Sequence, residues 1–115
     1  MKTTLYHNPR CSKSRATLEL LNSRGVEPQI IEYLKSPPDA ATLKKILSLL
    51  GLGPRELMRQ NETAYKEAGL DNPDLNDDDL INAMIEHPVL IERPIFLANG
   101  KAAIGRPPEN VLIIL

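Results

Sequence analysis

The sequence has a single cysteine, Cys11, so it cannot form an internal disulfide. That argues against a small secreted domain held together by disulfides. Its two histidines, His7 and His87, lie far apart and have one cysteine between them, which supports no zinc ligand set, and no metal is expected. Aromatic residues make up only 3% of the chain, so any core must be aliphatic, built from Leu, Ile, Val and Ala. No apolar run approaches the ~20 residues that a membrane helix needs. The opening Met1-Lys2-Thr3-Thr4 leads into only two apolar residues before His7, too few for a signal-peptide core. The expectation is a soluble, cytoplasmic protein without a membrane partner. Neither sign of charge dominates: Lys and Arg total 14, Asp and Glu 15, for a net charge of -1. A balanced surface argues against nucleic-acid backbone binding, which needs a basic face. It leaves room for a small local anion site.

What is present fits one domain over residues 1–115, close to the common domain size of ~100–150 residues. Thr3 to Tyr6 reads as a first strand. A helical pattern runs from Ser12 to about Arg24, with Ser14, Thr17, Leu18 and Leu21 on one face and Gly25 as terminator. Gln29 to Tyr33 reads as a second strand, which would make a βαβ unit with parallel strands. Asp39 should cap a helix over Ala40–Leu50, striped by Leu43, Ile46, Leu47 and Leu50. Pro54 suits the first turn of a helix over about Arg55–Arg59, and Glu62–Ala68 reads as a short helix. Asn76 is expected to cap a helix over Asp77–His87, with Leu80, Ile81, Met84 and Ile85 inward. Val89–Ile91 and Pro94–Ala98 read as extended. Asn99-Gly100 predicts a hairpin between strands near Ile95–Leu97 and Ala102–Ile104. Pro107 or Pro108 should open a last helix through Leu115. The fold class is α/β: a thioredoxin-like mixed sheet in the order β-α-β, helical insertion, β-β-α.

Cys11 lies in the stretch Tyr6-His7-Asn8-Pro9-Arg10-Cys11-Ser12-Lys13-Ser14-Arg15, where the first strand gives way to the first helix. Thiolates are stabilised at helix N-termini and beside cations, and His7, Arg10, Lys13 and Arg15 all lie within four residues. The N–H groups of Ser12 to Arg15 would point at whatever Cys11 binds, and such a turn also binds oxyanions. The competing reading is a buried structural cysteine. A dithiol oxidoreductase would carry a second cysteine where this chain has Ser14. Any disulfide made by Cys11 must therefore involve another molecule, such as glutathione or a partner protein.

This decapeptide resembles the active-site loop of the glutaredoxin-dependent bacterial arsenate reductases. The resemblance continues through Ile31-Glu32-Tyr33-Leu34-Lys35-Ser36-Pro37-Pro38, Leu57-Met58-Arg59-Gln60-Asn61, His87-Pro88-Val89-Leu90-Ile91-Glu92-Arg93-Pro94-Ile95 and Gly105-Arg106-Pro107-Pro108-Glu109. It implies that Cys11 attacks arsenate, that Arg59, Arg93 and Arg106 hold the oxyanion and stabilise the thiolate, and that His7 and Ser14 help lower the Cys11 pKa. It implies no bound cofactor. Glutathione is the co-substrate and glutaredoxin the partner that removes the mixed disulfide before arsenite leaves. It also implies a cis bond at Arg93-Pro94. Arginine suits the role, because its planar fork stays charged and matches a tetrahedral oxyanion.

Two other readings stand beside this one. A glutathione-linked thiol oxidoreductase without arsenate activity would use Cys11 alike but has no obvious use for three arginines. A thiol-sensing regulator of the Spx type would ordinarily carry a C-x-x-C switch, which Ser14 interrupts. Elsewhere the residues read as structural. His87 sits at a helix C-terminus, where a cation is favoured. Asp74, Asp77, Asp78 and Asp79 lack the spacing of a calcium loop and suit a helix start.

Overall fold

The computed structural model describes residues 2–115. The chain folds into two compact units. One is Pro37–Glu92; the other joins the chain up to Ser36 with Arg93–Leu115.

The second of these carries the sheet. It contains β1 (Thr4–His7), α1 (Ser12–Ser23), β2 (Gln29–Glu32), β3 (Ile95–Ala98) and β4 (Lys101–Ile104), and ends in a 3-10 segment at Pro108–Ile114. Among the described residues the sheet has four strands in the order β2-β1-β3-β4. β1 and β2 are parallel, as the βαβ reading requires, with Leu5 opposite Ile30. β3 runs antiparallel to β1 and β4 antiparallel to β3. The hairpin is built by Asn99 (φ 55°) and Gly100 (φ 71°). Two successive positive φ values make the two-residue turn whose twist matches that of the strands. Leu5, Leu21, Ala98, Val111 and Ile114 surround Phe96, flanked by Leu18, Leu20, Val26 and Ala103, and Tyr6 and Tyr33 are buried as well, so the core is not purely aliphatic. This is the thioredoxin-like α/β arrangement.

The first unit is helical: α2 (Ala40–Leu50), α3 (Pro54–Leu57), α4 (Thr63–Glu67) and α5 (Asp77–Glu86), followed by a 3-10 turn at Pro88–Leu90. α2 starts at Asp39, whose side chain accepts the Thr42 N–H at 2.8 Å, and buries Leu43, Ile46 and Leu47. α5 starts at Asn76, whose Oδ1 accepts the Asp79 N–H at 2.8 Å while Asp79 Oδ2 accepts the Asn76 N–H at 3.1 Å. Its buried face is Leu80, Ile81, Ala83 and Met84, with Ile85 only half-buried. His87 is its C-cap.

Three expectations are corrected. Val89–Ile91 is not an extended segment: Pro88 opens a tight turn in which the Leu90 N–H reaches His87 O (2.9 Å) and the Ile91 N–H reaches Pro88 O (3.0 Å). Only Ile91 pairs, in a single antiparallel bridge with Met58. The helix at Pro54 stops at Leu57 and does not reach Arg59. There the Arg59 N–H leaves the helical ladder for Leu90 O at 2.7 Å. The last segment is 3-10 rather than α-helical. It has only seven residues and is crowded with Val111, Ile113 and Ile114; β-branched side chains lose χ1 freedom in an α-helix, and so short a piece gains little from α propagation.

Candidate active site

The site is built where β1 ends and α1 begins. Cys11 is the N-cap of α1, in extended backbone (φ -91°, ψ 124°). Its own N–H is held by Asn8 O at 3.0 Å, and its carbonyl accepts the Arg15 N–H at 3.0 Å. Asn8 shapes the turn further, since its Oδ1 accepts the Arg10 N–H at 3.0 Å. Arg15 braces the turn from outside by donating to Pro9 O at 3.0 Å. The Cys11 backbone is therefore held on both sides, and the residue is half-buried.

Burial pushes the Cys11 thiol up. The Ser14 N–H, the side chain and charge of Arg93, and the Lys13 N–H outweigh it, so the thiol lies below its ordinary value. These are the N2 and N3 amides of α1, the donors a capping group ordinarily satisfies. In the neutral thiol they close no full capping hydrogen bond. Their stabilisation applies to the thiolate, the form that acts as a nucleophile.

Ser14 and His7 are both buried, and Ser14 Oγ lies 2.6 Å from His7 Nδ1. The same oxygen accepts the Asn8 N–H at 3.0 Å. The hydroxyl is thus committed to the loop, and Ser14 reaches Cys11 through its main-chain N–H. Burial lowers the His7 pKa; Glu32 opposes the shift and Arg15 adds to it. Burial thus favours the neutral ring, which meets Ser14 through a hydrogen bond.

Arg93 precedes Pro94 through a cis peptide bond, as the resemblance implies, and its side chain reaches the Cys11 sulfur. Arg106 donates from Nη1 to Arg93 O at 3.3 Å. It also precedes a cis proline, Pro107. Behind them Gly105 leaves no space for a side chain: a Cβ there would lie 2.5 Å from Thr17 Oγ1 and 2.8 Å from Pro94 Cγ. Gly105 N–H also bonds Pro94 O at 2.9 Å, which ties the Arg106 turn to the cis proline.

Within this unit Cys11, His7, Ser14 and Arg93 come together, with Arg106 against the Arg93 carbonyl. Arg59 belongs to the helical unit. There its Nε donates to Glu62 Oε1 at 3.0 Å and its Nη1 to Glu92 Oε1 at 3.1 Å. Lys13 and Arg10 are exposed. The sequence reading gave no role at the site to Asn8, Glu62, Glu92, Thr17 or Gly105. Only Asn8-Pro9 carried a usable signal, since an asparagine beside a turn can bond its own backbone two residues on. Among the described residues no group of three or more His, Cys, Asp and Glu side chains could hold a metal, and no helix is long and apolar enough to cross a membrane.

Residues 6–114 match the ArsC family. The chain is 58% identical to YfgD of Escherichia coli K12, an uncharacterized protein, over 96% of this chain and 94% of that one. It is 54% identical to an arsenate reductase of Neisseria meningitidis serogroup A, over 96% of each chain. In structure it superimposes on the arsenate reductase from Vibrio cholerae with a TM-score of 0.97 at 52% identity, covering all of this chain and 98% of the other.

Proposed function

The chain belongs to the ArsC family, and from that premise we propose that it is an arsenate reductase in which Cys11 is the nucleophile. The observation that carries the reading is the convergence of the Arg93 side chain and two helix N–H groups on the Cys11 sulfur. That arrangement serves a thiolate and a bound oxyanion alike, because both are anions and both need fixed donors. A relative called arsenate reductase, 54% identical and matched over 96% of its length, supports the substrate.

The reaction runs as follows. The Cys11 thiolate attacks the arsenic of arsenate and an oxygen departs as water, leaving a sulfur–arsenic(V) bond. Glutathione displaces a second oxygen as water and bonds its sulfur to the arsenic. The glutaredoxin thiol then attacks the glutathione sulfur. The sulfur–arsenic electron pair stays on arsenic, which falls from As(V) to As(III), and arsenite is released by hydrolysis from Cys11. Two thiols become one disulfide, so the two electrons balance. Arg93 and Arg106 hold the oxyanion and offset its charge as the thiolate approaches. Arg59 matches the third arginine of the family motif. His7 and Ser14 keep the loop in the shape that aims the Ser14 N–H at sulfur. The protein needs no resident cofactor, only glutathione as co-substrate in a reducing, cytoplasmic setting.

The test is arsenite production from arsenate, measured with glutathione and glutaredoxin present and with each left out. Arsenite should form only when both are supplied. Arsenite formed at full rate without glutaredoxin would remove glutaredoxin from the scheme, and none under any condition would remove arsenate.

A further inference from the structure

The two units carry charge of opposite sign. The sheet unit, Met1–Ser36 with Arg93–Leu115, has nine Lys and Arg against four Glu, a balance of +5. The helical unit, Pro37–Glu92, has five Lys and Arg against eleven Asp and Glu, a balance of -6. The unit that carries Cys11 is therefore basic, although the chain as a whole has a net charge of -1.

The cations nearest Cys11 stand against the preference of their own helix. A helix N-terminus carries partial positive charge, so acidic residues are favoured in the first turn and basic ones are not. α5 follows that rule with Asp77, Asp78 and Asp79. α1 breaks it: it opens Ser12-Lys13-Ser14-Arg15, with no acidic residue in its first turn and Arg10 just ahead of it. Helix stability does not call for these charges. Nor does the thiol, because the side chain that lowers the Cys11 pKa is that of Arg93. Arg15 has a task within the loop: it donates to Pro9 O at 3.0 Å, and its charge acts on His7. Arg10 and Lys13 are left over. Both are exposed, and among the described residues neither side chain makes a hydrogen bond or ion pair. Their backbones are nevertheless fixed beside the sulfur. Asn8 Oδ1 holds the Arg10 N–H at 3.0 Å, and the Lys13 N–H is one of the two amides that act on Cys11.

A pair of cations anchored beside a nucleophile, and used by neither helix nor thiol, is available to an anion arriving from solvent. Glutathione is such an anion, a tripeptide thiol whose carboxylates outnumber its ammonium group. We propose that Arg10 and Lys13 recognise the carboxylates of glutathione at Cys11 and so select an anionic thiol over a neutral one. The proposal rests on the reading of Cys11 as a nucleophile whose sulfur bond is resolved by glutathione.

Disulfide exchange tests this recognition without arsenate. The Cys11 thiolate attacks one sulfur of oxidised glutathione, the sulfur–sulfur bond breaks and a glutathione thiolate leaves, so no other reactant is needed. The same exchange with hydroxyethyl disulfide offers a neutral partner, and mass spectrometry of quenched samples gives both rates. The variant Arg10→Gln/Lys13→Gln removes both charges and keeps both backbone N–H groups. It should melt no lower than the wild type, since it takes a cation out of a helix N-terminus. Its exchange with oxidised glutathione should slow by about three- to tenfold, the lower end of electrostatic steering, and its exchange with hydroxyethyl disulfide by less than about twofold. Added salt should slow the wild type with oxidised glutathione toward the rate of the variant, because exposed charges are screened. Equal slowing with both disulfides would mean that the cations act on the thiol. No slowing with either would mean that they are only solvated. Either result overturns the proposal. No exchange with either disulfide by the folded wild-type protein would sink the reading of Cys11 as a nucleophile, and the proposal with it.

Discussion

At the scale of single residues, Cys11 is governed by a competition with a readable sign. Burial raises the thiol pKa, while the Ser14 and Lys13 amides and Arg93 lower it further than burial raises it. A lowered pKa means that the thiolate survives as pH falls past the point where a free thiol has taken up its proton. Iodoacetamide alkylation followed against pH should therefore show a midpoint below the ~8.5 of a free cysteine. An unshifted midpoint would contradict the account. Arg93→Ala should move the midpoint up and cut arsenate kcat/KM by about ten- to a hundredfold, the range for losing one hydrogen bond to a charged group. The place of Cys11 at the start of α1, with the Ser14 and Lys13 amides beside it, was legible in the sequence; the side chain that lowers its pKa is that of distant Arg93, not those of its neighbours Arg10, Lys13 and Arg15. The state of His7 was not legible. The sequence counts it among cations near the thiol, whereas burial, which no local pattern reports, lowers its pKa. The carboxylates on Arg59 were hidden for a related reason: Glu92 meets Arg59 only through a pairing of distant segments.

At the scale of elements, patterns with a local cause were readable and those with a tertiary cause were not. The parallel β1–β2 pair followed from strand, helix and strand in succession, and the hairpin from Asn99-Gly100. The caps Asp39 and Asn76 followed from residue type. Asn76→Ala removes the acceptor for the Asp79 N–H and should cost about 1 kcal/mol of stability in a denaturant titration. A change within a few tenths of a kcal/mol would mean that the cap is redundant. The segment after α5 misled because Val89, Leu90 and Ile91 have strand-like composition, while Pro88 and the single bridge to Met58 set its conformation. Gly105 is the clearest case of a tertiary requirement. Its Cβ would collide with Thr17 and Pro94, so Gly105→Ala should destabilise the protein by about 1–3 kcal/mol through overpacking. It should also disturb the Arg106 turn. A variant as stable as wild type would show that Thr17 and Pro94 yield freely.

At the scale of the whole molecule, a chain of net charge -1 still brings Arg93 to the Cys11 sulfur. Overall composition argued against broad polyanion binding but could not reveal that Arg93 reaches the Cys11 sulfur while Arg106 donates to the Arg93 carbonyl. The ordered motifs did single out both arginines, because their spacing follows the fold: the Arg93-Pro94 turn leads into β3, and the Arg106 turn leaves β4. The absence of a second cysteine has its consequence at this scale as well. Under the proposed function, Cys11 has no second cysteine to resolve its sulfur bond, and an external thiol completes the reaction. The central claim is tested most directly by NADPH oxidation in a coupled system of arsenate, glutathione, glutaredoxin and glutathione reductase. The account predicts an arsenate-dependent rate that Cys11→Ser abolishes. No arsenate-dependent rate from the wild-type protein, with its exchange of glutathione disulfides intact, would contradict it.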